Sequence, residues 1–112
     1  MALSKICSMK QIAKVDWDRV HDLACDIANA TSQDDDVLAD SKTEALMCIL
    51  KELEAKYGVC SRITATMADY AEEGRQMSLY REALTQAKAE GDDENVKLIL
   101  DSMAEIADEN RA

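Results

Sequence analysis

The chain has 112 residues, with 13 basic and 23 acidic side chains, a net charge of -10 and a pI near 4.4; that acidity excludes unaided binding to nucleic acid or to an anionic membrane surface, both of which need basic patches. No Pro, 3 Gly and no Phe against 17 Ala and 10 Leu exclude a β-sandwich or barrel, which needs turn residues about every 8–12 positions. An apolar content of 47% excludes a disordered ground state, and no window approaches the ~20 uncharged apolar residues of a membrane-spanning helix.

A length of this order predicts one domain, spanning residues 1–112. At its start, Ser8-Met9-Lys10-Gln11 fits a capping box and predicts a short helix. The string from Met9 to Ala13 looks like the opening of a helix-turn-helix, but no basic recognition helix follows. The next helix carries Asp16, Asp18, Asp22 and Asp26 instead, which speaks against DNA binding. That helix is predicted from an Asp16 N-cap to about Ala30, with Val15 and Val20 as a hydrophobic staple. Trp17, Val20, Leu23, Ala24 and Ile27 form its apolar face. Residues 31–36 are polar and without period, and read as a loop.

A second helix is predicted from the capping box Ser41-Lys42-Thr43-Glu44 to Tyr57, with Gly58 as its terminator. Its six consecutive apolar residues, Ala45–Leu50, encircle the helix. This predicts burial on most sides, at the centre of the bundle or against another chain. From Ser61 to Glu90 the stripe Ile63, Met67, Tyr70, Gly74, Met77, Leu84 and Ala87 stays in phase. The phase favours one continuous helix over a break at Glu73-Gly74-Arg75. Gly91 ends that segment, and Asp92 or Asp93 caps a last helix whose apolar face is Val96, Ile99, Leu100, Met103, Ile106 and Ala107. The tight Gly91-Asp92 joint predicts an antiparallel hairpin. Residues 79–107 look somewhat like one tetratricopeptide hairpin. The small residues expected at Val96 and Met103 are missing and no second copy lies about 34 residues away, so no family is assigned. The expected fold is all-α, a compact bundle of four to six helices arranged as antiparallel hairpins.

Motifs for chemistry are sparse. His21 and Cys25 lie four apart, but a zinc site would need Cys48 and Cys60 to converge on them, and no local spacing enforces that. A half-buried His beside a packed Cys is expected. Carboxylate-metal Glu-x-x-His pairs and Gly-rich phosphate loops are lacking, and Asp34-Asp35-Asp36 fails as a calcium loop because Leu38 and Ala39 occupy its fifth and sixth positions. No catalytic residue, metal or cofactor is therefore expected. The four cysteines, Cys7, Cys25, Cys48 and Cys60, contain no C-x-x-C pair and read as reduced, buried thiols. With no export-type apolar run near the start, the expected location is the cytoplasm. Met47, Met67, Met77 and Met103 fall on or near apolar faces and read as core filler.

Two acidic stripes are less ordinary. Asp18, Asp22 and Asp26 repeat every four residues on the first helix, a spacing that destabilises a helix by about 0.2–0.5 kcal/mol per pair. Asp101, Glu105 and Asp108 form a similar face on the last helix, where acids near its C-terminus oppose the dipole. These six carboxylates are the expected partner-binding residues. They point to a small, non-enzymatic, protein-binding module, an inhibitor or immunity-type protein occluding a basic partner, such as one that handles nucleic acid. The alternative is a helical scaffold or adaptor, or a homo-oligomer, using the apolar Ala45–Leu50 surface.

Overall fold

The computed structural model describes residues 12–111, with side chains as far as Glu109. The N-terminal capping box, the helix expected behind it and Cys7 lie outside these residues. Five helices follow one another: α1 (Lys14–Ser32), α2 (Asp36–Tyr57), α3 (Ser61–Tyr70), α4 (Glu73–Glu90) and α5 (Asp93–Arg111), and no strand occurs among the described residues. They pack as a bundle in which α1 lies along α2, α3 along α4 and α4 along α5. The bundle is a slab of 48 × 35 × 20 Å. Its short dimension is about two helix diameters, so few helices can be covered on every side.

The first hairpin is tied at both ends. Asp16 stands inside α1, not at its cap; the N-cap is Ala13, which has no side-chain hydrogen bond. The Asp16 carboxylate accepts from Lys56 Nζ at 2.8 Å and from Tyr57 Oη at 2.5 Å, across the hairpin. Tyr57 Oη in turn accepts from the Ala13 N–H at 3.1 Å. A carboxylate in the first turn of a helix also suits the dipole. At the far end Lys42 reaches Asp26 at 3.6 Å. Val15 is 68% exposed, so the expected staple does not form.

The α1–α2 turn is shorter than residues 31–36. It needs only Gln33–Asp35, with Asp34 taking a positive φ of 56°. Asp is one of the few side chains that accept this conformation. Asp35 caps α2 by accepting from the Leu38 N–H at 3.1 Å. That cap starts the helix five residues before Ser41, which leaves the Ser41–Glu44 box within the helix. Gly58 does terminate α2, at φ 91°.

The centre of the bundle is α3, not α2. Ile63 and Met67 of this ten-residue helix, with its N-cap Cys60, join Val20, Ile27, Leu46, Leu50 and Leu53 in one core cluster. Ala68, on the other side of α3, joins Tyr80, Ala83, Ala87 and Ile99 in a second. Ala68, Ala83 and Ala87 are fully buried, and such small contacts let helices approach closely. In α2, by contrast, Leu46 and Leu50 point inward while Ala45 and Cys48 are exposed. The apolar belt is therefore not covered all round.

Residues 61–90 form two helices. Ala71 and Glu72 are extended, with ψ near 161° and 148°, and the chain folds back there. Gly74 is not the breaker; it is the second residue of α4. Four hydrogen bonds, from Gln76, Glu90 and Asn95, tie α3 to the elements that follow it. Gln76 Nε2 donates to the Ala68 carbonyl at 3.0 Å, covering the end of α3. At the start of α3, Glu90 accepts from the Ser61 N–H at 2.8 Å and from Ser61 Oγ at 2.6 Å. Asn95 Nδ2 donates to the same Oγ at 2.7 Å. Glu90 thus acts as an N-cap supplied by another helix. Gly91, in the left-handed conformation at φ 73°, ends α4, and Asp92 caps α5 by accepting from the Asn95 N–H at 3.1 Å. This hairpin forms as expected.

Candidate functional site

The α1 stripe is exposed along its length, but it is not a row of free charges. Asp18 accepts from Lys14 at 2.8 Å, and Asp26 pairs with Lys42 at 3.6 Å. Asp22 has no cation within 4.0 Å among the described residues. The Lys14 ammonium is held above its ordinary range by the Asp18 hydrogen bond and charge.

The α5 acids are placed differently. Asp101 and Glu105 border a groove of about 400 Å³ that lies between α3 and α5, with Tyr80 of α4 and Trp17 of α1 in its walls. Asp108 is exposed beyond it. The structure brings Asp101 and Glu105 together with a third acid, Asp69 of α3, and it brings none of Asp18, Asp22 and Asp26 to this groove. Ala65, Leu98 and Ile99 supply apolar lining, and Thr66, Arg62, Asn95 and Ser102 supply polar groups. A volume of this size falls within the ordinary range for binding clefts.

Three groups determine the electrostatics of the groove. Tyr80 is buried, and its hydroxyl donates to Asp69 Oδ1. Burial, then the hydrogen bond and charge of Asp69, holds that hydroxyl well above the usual phenol range, with Glu105 adding to the effect. Asp69 is exposed as a residue, but its carboxyl is partly shielded where it meets Tyr80 in the groove. That burial pushes the carboxyl above the ordinary carboxylate value, while the Tyr80 hydrogen bond pulls it back. Arg62 lies 3.6 Å from Asp92, and its Nε is buried without a hydrogen-bond acceptor.

Sequence reasoning missed Asp69, Tyr80 and Arg62, and assigned Trp17 only to the core. On one straight helix Asp69 and Tyr80, eleven positions apart, would be separated by about 16 Å. Only the fold-back at Ala71-Glu72 brings them into contact. No local signal marks that pair.

His21 and Cys25 are both exposed, with Nε2 and Sγ 3.7 Å apart, so the expected packed pair is not found. Cys48 is exposed too, and of the described cysteines Cys60 alone is buried as expected. Among the described residues no three His, Cys, Asp or Glu side chains gather to hold a metal ion, and no helix is long and apolar enough to cross a membrane. A second, more open concavity lies between α2 and the α3–α4 corner, where Glu44, Glu72, Lys51 and Arg75 mix both charges with the apolar surface of Met47 and Tyr70. Comparison of the chain with family models, curated proteins and solved structures finds no match.

Proposed function

We propose that this chain is a non-enzymatic, acidic protein-binding module, a stoichiometric inhibitor or immunity-type protein that occludes a basic partner, such as one that handles nucleic acid. The observation that carries the reading is the placement of the α5 acids. Asp101 and Glu105 have no cation within 4.0 Å among the described residues, and they face a preformed groove. Carboxylates left unneutralised beside apolar surface are an arrangement suited to Lys and Arg of a partner, where they steer encounter and fix register. The α1 stripe supplies a second acidic face, with Asp22 its least compensated member and Asp18 and Asp26 already paired internally. Partner binding there would exchange internal ion pairs for external ones, so α5 contributes more to affinity than α1.

Site-specific photo-crosslinking tests this reading. A crosslinker at Asp22 or Asp101 is expected to capture one partner through Lys- and Arg-rich peptides, while one at the exposed Glu82 on α4 captures none. Capture of an acidic or apolar segment would refute the proposal. Crosslinks to a second copy of this chain would favour the scaffold or homo-oligomer instead.

A further inference from the structure

The groove has a direction. At one end Asn95 bonds to Ser61 and Arg62 reaches Asp92, so the starts of α3 and α5 lie together. Farther along, Asp69 accepts from Tyr80, whose hydroxyl also senses Ser102 and Glu105. Therefore α3 and α5 run parallel along the groove. Arg62 and Asn95 close one end, and Asp69, Asp101 and Glu105 lie about 9–15 Å away, six to ten residues along each helix. Between the ends along α5 lies Leu98, 50% exposed, and Trp17 of α1 lines the groove as well. A site with an Arg62–Asp92 pair at one end, carboxylates without a cation at the other and apolar surface between them selects a cationic head on an apolar stem.

We propose that this groove receives a single arginine side chain of the basic partner, its guanidinium at Asp101 and Glu105 and its aliphatic stem against Leu98 beside Trp17. This rests on the basic-partner reading above and specifies where that partner is held. Arginine fits better than lysine on three grounds. Its planar head offers five donors to two carboxylates one turn apart on α5, it interacts favourably with an indole, and it is more weakly hydrated on entering a partly apolar cleft.

The experiment uses the full chain and a defined probe, the peptide acetyl-Gly-Gly-Arg-Gly-Gly-amide, with its citrulline counterpart as a neutral isostere. Binding is followed by amide and indole NMR shifts, for which Trp17 is the only indole in the chain. Saturable shifts of the Trp17 indole N–H and of residues 65–69 and 98–105 are expected with the arginine peptide and none with the citrulline peptide. The paired change Asp101→Asn with Glu105→Gln is expected to weaken binding about tenfold or more, as charge-assisted hydrogen bonds are lost. Both positions are exposed, so the variant folds, which the unchanged shifts of α1 and α2 would verify. Equal binding of the citrulline peptide would overturn the inference. Arginine-peptide shifts that map to Asp18, Asp22 and Asp26 would overturn it as well, yet leave the basic-partner reading standing. If neither this peptide nor one with several arginines binds, both fail.

Discussion

Replacing Glu90 by Ala removes the one carboxylate that caps α3 from outside. Ser61 is fully buried, and Glu90 accepts from both its N–H and its Oγ, while Asn95 donates to that Oγ. Each hydrogen bond to a charged acceptor contributes about 1.5–3 kcal/mol, and the two are not additive because they share both residues. The substitution also leaves a buried N–H unsatisfied at a helix start. A loss of about 3 kcal/mol is expected, a large share of the roughly 5–15 kcal/mol by which domains of this size are stable. With an m-value of about 1.5 kcal/mol/M, the urea midpoint, followed by Trp17 fluorescence and by helical circular dichroism, falls by about 2 M. Glu90→Gln keeps an acceptor and loses only the charge, so it should cost about 1 kcal/mol. A Glu90→Ala midpoint within about 0.5 kcal/mol of the parent, the ordinary spread of surface changes, would refute the capping role.

Two glycines should respond with opposite signs. Gly91→Ala meets no neighbouring atom but must hold φ at +73°, so it should destabilise by about 1–2 kcal/mol, whereas Gly74→Ala, in open space within α4, should gain up to about 0.5 kcal/mol in urea melts. Asp16 is held below the ordinary carboxylate range by hydrogen bonds from Lys56 and then Tyr57, so its contribution is full above about pH 3.9 and is lost as the pH falls through the lower folded value. The stability difference between the parent and Asp16→Asn should therefore vanish in acid melts. Asp69 runs the other way: burial raises its folded value, so its contribution is present below about pH 3.9 and is lost as the pH rises through that raised value. Asp69→Asn, whose amide oxygen still accepts from Tyr80, should show no such loss in melts across that range. Thiol labelling followed by peptide mapping should find Cys25 and Cys48 reactive in the native protein and Cys60 reactive only after unfolding.

The parts of this fold that were legible in the sequence are those fixed locally. Gly58 and Gly91 stop helices through their own backbone freedom, Asp92 caps the helix that immediately follows, and the stripes of α1 and α5 bury the faces expected through Val20, Ile27 and Ile99. The failures share one cause, a residue satisfied from far along the chain. Asp16 has the chemistry of an N-cap, but Lys56 and Tyr57 claim its carboxylate from 40 and 41 residues away. The start of α3 has no capping side chain of its own, because Glu90 arrives from 29 residues away. The stripe across residues 61–90 is not one face: Ile63, Met67 and Tyr70 pack in the first cluster, Leu84 and Ala87 in the second, and Gly74 is exposed, while Ala68, Ala83 and Ala87 are buried together in the second cluster. For the site, the spacing of Asp101 and Glu105 was readable, whereas their convergence with Asp69 depends on the fold-back at Ala71-Glu72 and leaves no trace in spacing.

The salt dependence of the association rate between the intact chain and the partner captured by crosslinking tests the central claim most directly. If carboxylates of α5 and α1 engage a basic surface, the rate falls steeply with ionic strength, and the variant carrying Asp101→Asn and Glu105→Gln associates more slowly with a flatter salt slope. A variant with the same loss of charge at Glu73 and Glu82, on the exposed surface of α4, keeps most of the parent rate. A rate indifferent to salt, or one that the α4 and α5 variants lower equally, would contradict the account.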